Sequence, residues 1–499
     1  MKTRIIDRLP IMAFFTAVFL FIMIWCGYIH PVQIFNADDW AFSYKHREAM
    51  PIWGAWNPIR VFPEVFMPLV STLGAFLVYP VTGDFFGSFT VAYAAAASAA
   101  VVLLLYVVYK DLLQKGASDG TALLLALFFL ICHFWVMRSA KEGNKYMLHA
   151  QNATCVFFYL IPNLLCSAWV LWTHRSRILR GGKALGNARI AAWIFLTYFC
   201  IFSNLWSNLI LGTYLGTVLL LALAGQIREH AFRLRLFLRQ YWPELLLLFL
   251  WVVSQVYEKN GGRAANIADT VNESFRSAFY VARQVYLKNL TYLNRGFLIS
   301  TLIVITAGTA ILLKTGNKTE LRELLGCGIA FVISSVYLIL SCSVTGPSFL
   351  YRPEVFYSAF FYYMLAVLLC AVRIFRQWPR LITAAPLLLM LILANCHTKY
   401  KTFPEYNEFF EPETCRRISE DILGQLQQAD RDGLTEITLY VPKFETEDNW
   451  PIAHYAEEHL YLMPYVYKAT GREIIIKEFV PTYEKNAVLF PQTESVKAD

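Results

Sequence analysis

Apolar runs long enough to cross about 30 Å of hydrocarbon recur from residue 10 to residue 396 of this 499-residue chain. Only 16% of its residues are charged, where a soluble domain carries about 25%. Most of the chain therefore has to sit in lipid, as apolar helices. Its ten cysteines lie mostly inside these runs, as Cys26, Cys132, Cys155, Cys166, Cys200 and Cys370 do, where they read as small packing residues. No CxxC spacing occurs, which argues against a zinc or redox site.

Topology follows from the lysines and arginines, because short cytoplasmic loops carry the excess of both. Lys2, Arg4 and Arg8 put the N-terminus inside, and the first apolar run reads as a retained signal anchor. Three basic loops should also be cytoplasmic: Arg175 to Arg189, Arg228 to Arg239, and Arg373 to Arg380. That parity holds only if Phe66 to Tyr79 does not cross. The prolines at 58, 63 and 68 that precede or open it and its short reach before Pro80 suit a re-entrant or interfacial helix. The crossings are then 10–29, 88–109, 121–137, 154–172, 190–203, 208–226, 243–257, 296–313, 324–343, 355–372 and 381–395. About 11 transmembrane helices result, an all-α polytopic domain over 1–396.

Beyond Cys396 the chain turns polar. Glu411 to Gly433 has helical spacing, with Ile418, Ile422, Leu423 and Leu426 on one face, and Thr435 to Val441 alternates as a strand. A second helical stretch, Pro451 to Thr470, leads into the strand Glu473 to Phe479. Residues 397–499 thus read as a small extracytoplasmic α/β domain. Cys396 and Cys415 share that side, which leaves a disulfide between them open.

The first outer loop, 31–87, carries adjacent carboxylates in Asn36-Ala37-Asp38-Asp39-Trp40. A carboxylate at a membrane surface can bind a metal, take a proton from a sugar hydroxyl or hold a cation, and it can equally cap a short helix. Tyr351-Arg352-Pro353-Glu354 offers an arginine fork on a proline-stiffened turn, suited to phosphate or to pairing with Glu354. Lys141, Glu142 and Lys145 form a second charged outer cluster. Arg276, Arg283 and Lys288 alternate with apolar residues, as in an interfacial helix. Asn152-Ala153-Thr154, Asn272-Glu273-Ser274 and Asn289-Leu290-Thr291 match the glycosylation sequon. Phe202 to Asn208 offers amides and an indole that either contact a sugar or join spans. Arg228 to Arg239 reads as a helix on anionic lipid, not on nucleic acid. No glycine-rich phosphate loop occurs, which argues against a nucleotide-driven pump.

An acidic pair directly after the first span, amphipathic helices in the same loop, about a dozen spans and a C-terminal outer domain together resemble the GT-C superfamily of integral membrane glycosyltransferases. The likeness is greatest to bacterial members grouped with serotype-modifying glucosyltransferases. In those, an Asp-Asp-aromatic run precedes a tryptophan-rich stretch ending in Asn-Gly-Arg. This chain has Trp53-Gly54-Ala55-Trp56-Asn57-Pro58-Ile59-Arg60, with Pro58-Ile59 in place of the single glycine.

The resemblance implies transfer of a sugar from a polyprenyl-phosphate donor to an envelope polysaccharide or glycolipid on the outer face of a bacterial inner membrane. It implies Asp39 as the base that removes the acceptor proton, with Asp38 orienting the acceptor or sharing the proton. Arg352, Tyr351, Arg60, Trp56, Asn57, Lys141 and Glu142 are the candidates for holding substrate. A divalent metal, Mg or Mn, held by the two aspartates is a second use of the pair; relatives differ in this, and no metal ligand is assigned. The rival reading is a transporter or flippase of a lipid-linked sugar, although such proteins place ionisable groups within their spans and often show repeated halves.

Overall fold

The computed structural model describes residues 9–34, 37–45, 49–50, 57–135, 146–180, 186–260, 275–293, 295–384, 412–443 and 469–489. The helices are α1 (Leu9–Ile29), α2 (Ala37–Phe42), α3 (Val61–Thr82), α4 (Phe85–Gln114), α5 (Asp119–Trp135), α6 (Ala153–Arg180), α7 (Asn187–Ile201), α8 (Leu209–Arg228), α9 (Leu234–Asn260), α10 (Phe275–Tyr292), α11 (Arg295–Thr315), α12 (Lys318–Thr345) and α13 (Pro353–Gln377). After them come α14 (Pro412–Arg431), the strands β1 (Glu436–Pro442) and β2 (Ile475–Thr482), and α15 (Tyr483–Leu489). Among the described residues, nine helices are long and apolar enough to cross a membrane, and α5 and α7 are shorter apolar helices. The protein is an integral membrane protein with a helical bundle.

Lipid gives helices no hydrophobic reason to associate, so close packing and hydrogen bonds must hold them together. Both are present. Gly74 of α3 sits where a methyl group would lie 3.1 Å from the Ser88 carbonyl of α4. The Trp169 indole donates to Thr197 at 2.7 Å, joining α6 to α7, and the Trp251 indole donates to Asn208 at 3.0 Å, joining α9 to the 202–208 turn. The most apolar stretches of α6 and α13 are each 89% buried, against 17% for α1. These two helices form the axis of the bundle, and the candidate site stands on their first turns.

The chain sorts its polar groups to two ends. At one end Lys115 meets Glu323 at 2.6 Å, Arg180 meets Glu244 at 2.8 Å, and Arg373 meets Glu320. Arg180 and Arg373 belong to two of the basic loops, and Phe237 of the third stacks on Tyr241, whose ring faces the Arg180 guanidinium. At the other end lie α2, the starts of α4, α6 and α13, and α14. There Gln33 exchanges backbone hydrogen bonds with Gln151 and Ala153, Trp40 packs on Phe86, and the Gln33 amide donates to the Pro412 carbonyl at 3.1 Å.

One expectation changes, and two others fall partly outside the described residues. The stretch Phe66 to Tyr79 belongs to a longer helix, α3, of 22 residues. A wide π turn at Gly74–Val78 carries the helix past Pro80, whose missing N–H would otherwise break the ladder. Both ends of α3 nevertheless hang from the Asp39 end: Phe62 N–H donates to Phe202, whose turn packs Trp206 on Phe349 beside Arg352, and Thr82 bonds Ser88. The expected crossing 381–395 begins as a 3₁₀ turn, Pro379–Ala384, and the rest lies outside the described residues. Gln377 and Pro412 lie at opposite ends of the bundle. Finally, Cys415 is a buried free thiol, and Cys396 lies outside the described residues.

The terminal unit pairs β1 with β2 in parallel, Glu436 opposite Ile475 and Pro442 opposite Thr482. Its strands start and end one to three residues later than the alternation placed them. Ile418, Ile422, Leu423 and Leu426 of α14 are buried, as their spacing requires. The helix expected over 451–470 lies outside the described residues apart from Ala469 and Thr470.

Candidate functional site

Asp38 and Asp39 form the first turn of α2, a position that favours carboxylates through the helix dipole. Their fates differ. Asp39 is 0% exposed. Its Oδ1 accepts the Thr154 backbone N–H at 2.6 Å and the Thr154 hydroxyl at 2.5 Å. It thereby caps the N-terminus of α6 from far away in the chain, taking one of the amides that no helical carbonyl can reach. Asp38, one residue earlier, is only half-buried.

The same turn of α6 meets Arg352. Its Nη1 lies 4.0 Å from the Cys155 sulfur, and its guanidinium sits 5.3 Å from the Phe349 ring centroid and 6.0 Å from that of Tyr159. Trp206 stacks against both rings, so four residues from three segments fix the guanidinium. The residues expected either to contact sugar or to join spans therefore join spans here. Asn208 takes hydrogen bonds from Trp251 and from Gln255 at 2.8 Å. Tyr351 lies half-buried beside Arg352, with the Lys288 ammonium 5.5 Å from its ring centroid.

Among the described residues Glu354 turns to His149, at 3.8 Å, and not to Arg352. Glu354 is buried at the start of α13, and among the described residues neither carboxylate oxygen has a hydrogen bond. The dipole of α13 offsets part of the cost. His149 uses Nδ1 on the Tyr146 carbonyl at 2.7 Å.

Beside these groups a half-open cleft of about 1160 Å³ separates the end of α1 and the 146–151 segment from α14. Its walls include Trp25, Tyr28, His30, Tyr146, Gln151 and Arg416. Burial, and then the neighbouring His149, lower the His30 pKa to about 4. Burial pushes the Cys415 thiol of α14 well above the usual range, and the Asp39 charge adds to this.

Two further candidates, Arg60 and Asn57, make contacts of their own. Arg60 adopts a left-handed backbone just before α3 and pairs with Glu258 at 4.0 Å. Asn57 shapes that turn by accepting the Ile59 N–H at 2.9 Å. Trp56, Lys141 and Glu142 lie outside the described residues. Asp39 Oδ1 is already committed to two Thr154 donors, and among the described residues no group of three or more His, Cys, Asp or Glu could hold an ion.

Comparison with protein-family models, with curated proteins and with solved structures gives no match.

Sequence reasoning passed over Thr154, Gln151 and His149. Thr154 attracted notice only as the end of a sequon, yet Asn152 and Asn289 of two such sequons are buried, and Asn289 donates to the Leu350 carbonyl. The one signal for Thr154 was its place in the first turn of a long apolar run, where a helix needs a cap.

Proposed function

We propose that this protein is a GT-C-like glycosyltransferase, moving a sugar from a polyprenyl-phosphate donor to a glycan or glycolipid acceptor at the membrane surface. The observation that carries this reading is the convergence of the Asp38-Asp39 pair and Arg352 on the first turn of α6. A base and a phosphate-binding fork beside each other are what inverting transfer needs. The basic loops gather at the opposite end, which the charge rule makes cytoplasmic. The lipid-linked donor would then be used from the far face.

In this reading the acceptor hydroxyl attacks the anomeric carbon. Its proton passes to a carboxylate, the bond from the anomeric carbon to the phosphate oxygen breaks, and polyprenyl phosphate leaves with the electron pair. Arg352 neutralises the charge that grows on the phosphate. The resemblance gave the base to Asp39. Its complete burial and its two bonds to Thr154 favour Asp38 as the proton acceptor, with Asp39 anchoring α2 to α6.

The test is mass spectrometry of envelope glycans and lipid-linked sugars from cells lacking the protein, complemented at matched membrane abundance. Wild type restores a missing sugar increment, and Asp38→Asn and Arg352→Gln do not. Full restoration by both variants would sink the assignment. Transport of a lipid-linked sugar is the second reading, favoured by the buried, hydrogen-bond-free carboxyl of Glu354 beside His149. It requires that Glu354→Gln, and not Asp38→Asn, abolish the increment.

A further inference from the structure

We propose that the cleft between α1, the 146–151 segment and α14 is a binding site for an uncharged saccharide and serves as the acceptor subsite. This rests on the glycosyltransferase reading for its role, though not for the binding itself.

Gln151 carries the argument. It lines the cleft, is 0% exposed, and among the described residues neither its amide nitrogen nor its amide oxygen has a hydrogen-bond partner. A buried amide left unpaired carries its full desolvation penalty, so a retained carboxamide here calls for a partner that the described residues do not supply. A carboxamide both donates and accepts, as does a sugar hydroxyl. Trp25 adds an indole N–H that is also buried and has no partner among the described residues. Around it stands a wall of rings: Trp25 lies 5.7 Å from His30 and 6.1 Å from Tyr146, centroid to centroid. Apolar faces with a few convergent polar groups are the general form of a small-ligand pocket.

The charges on the rim select against a phosphate. Arg416 is held by Asp84 and Glu420, each at 2.6 Å, and Arg417 by Glu413 at 2.6 Å. The low pKa of His30 keeps that ring neutral at neutral pH. The cleft thus offers hydrogen bonds and ring faces, whereas the Arg352 side offers a cation. Gln151 and Thr154 are three residues apart, so their α-carbons lie within about 11 Å. A sugar in the cleft would extend towards the aspartate pair while the donor phosphate stays with Arg352.

The experiment uses the full-length protein in nanodiscs, with two probes. One is a panel of fluorescently tagged neutral gluco-, galacto- and manno-tetrasaccharides. The other is dolichyl phosphate. Gln151→Leu removes the two unpaired atoms at nearly constant volume, and Tyr28→Ala changes a side chain 85% exposed at the cleft mouth, so that one of the two keeps its fold. At least one tetrasaccharide should bind saturably and weaken about tenfold or more in both variants, while Arg352→Gln leaves it unchanged and weakens dolichyl phosphate. No saturable tetrasaccharide binding up to about 10 mM, or binding indifferent to both cleft variants, overturns the site. Loss of dolichyl phosphate in Gln151→Leu and not in Arg352→Gln overturns it too, since the cleft would then hold the donor. If tetrasaccharide binding behaves as expected and cells show no transfer, the saccharide site stands and the transferase reading falls. Transfer without cleft-dependent binding has the reverse meaning.

Discussion

The Asp39 carboxylate accepts the Thr154 backbone N–H at 2.6 Å across 115 residues of chain, and it does so where no solvent reaches it. A buried, charge-assisted bond to a helix N-terminus contributes both to folding and to the position of its neighbour Asp38.

Asp39→Ala should therefore destabilise the protein by about 1–3 kcal/mol, from the lost cap and the buried amide left without its partner. Asp38→Asn should leave stability within about 0.5 kcal/mol, as expected for a half-buried position, while abolishing sugar transfer. Denaturant unfolding in detergent, paired with the transfer assay, separates the two effects. Equal stability losses in both variants would contradict the division of labour proposed for the pair.

Asp84 should matter more than its ion-pair partner. It caps α4 by accepting the Gly87 N–H at 2.9 Å, besides meeting Arg416. Asp84→Ala should cost about 1 kcal/mol or more through the cap, and Arg416→Ala only about 0.2–1 kcal/mol, as for an exposed pair. A double-mutant cycle reads both and isolates their coupling.

Stability should fall as pH drops from 6.5 towards about 4 because of His30. In that window the unfolded histidine takes up a proton that the folded one, desolvated and facing His149, refuses, so protonation favours the unfolded state. Above the unfolded value the effect vanishes, and below about 4 it saturates. His30→Phe should flatten this part of the unfolding-versus-pH curve. An unchanged slope would mean that other groups control it.

Gly308 allows α11 to approach α13. A methyl group there would lie 2.7 Å from the Cys370 α-carbon, a backbone atom with no room to retreat. Gly308→Ala should cost about 1–3 kcal/mol by overpacking, measurable as a lowered unfolding midpoint. Gly120→Ala, in open space, is the control.

Membrane orientation can be read with an impermeant thiol reagent on intact cells. Tyr28→Cys, at the Asp39 end, should label from outside. Arg235→Cys, at the opposite end, should label only after permeabilisation. Among the described cysteines all but Cys327 are buried, which keeps the background low. Labelling in the reverse pattern would place the acidic pair in the cytoplasm and exclude use of a donor from the outer face.

Much of the fold was legible in the residues. Apolar length marked most of the long helices, and the 3–4 spacing of Ile418, Ile422, Leu423 and Leu426 named the buried face of α14. The end of α3 was not, because Pro80 reads as a stop and only the π turn before it lets the helix continue. The charged site residues stood out because charge is rare in such a chain. Thr154 and Gln151 did not, since a threonine or glutamine near a helix start is unremarkable until one sees what it faces.

By itself the sequence determined that this is a helical membrane protein with an acidic pair after its first span, because hydrophobicity, periodicity and charge are local properties of the chain. Only the tertiary structure decided which carboxylate is buried, which helix start receives it, and that Arg352 shares that turn. It also decided that Gln151 is left facing a cleft beneath α14. Those outcomes depend on segments far apart in sequence arriving at one end of the bundle. Packing of α6 against α13 brings them there, and no single segment encodes it.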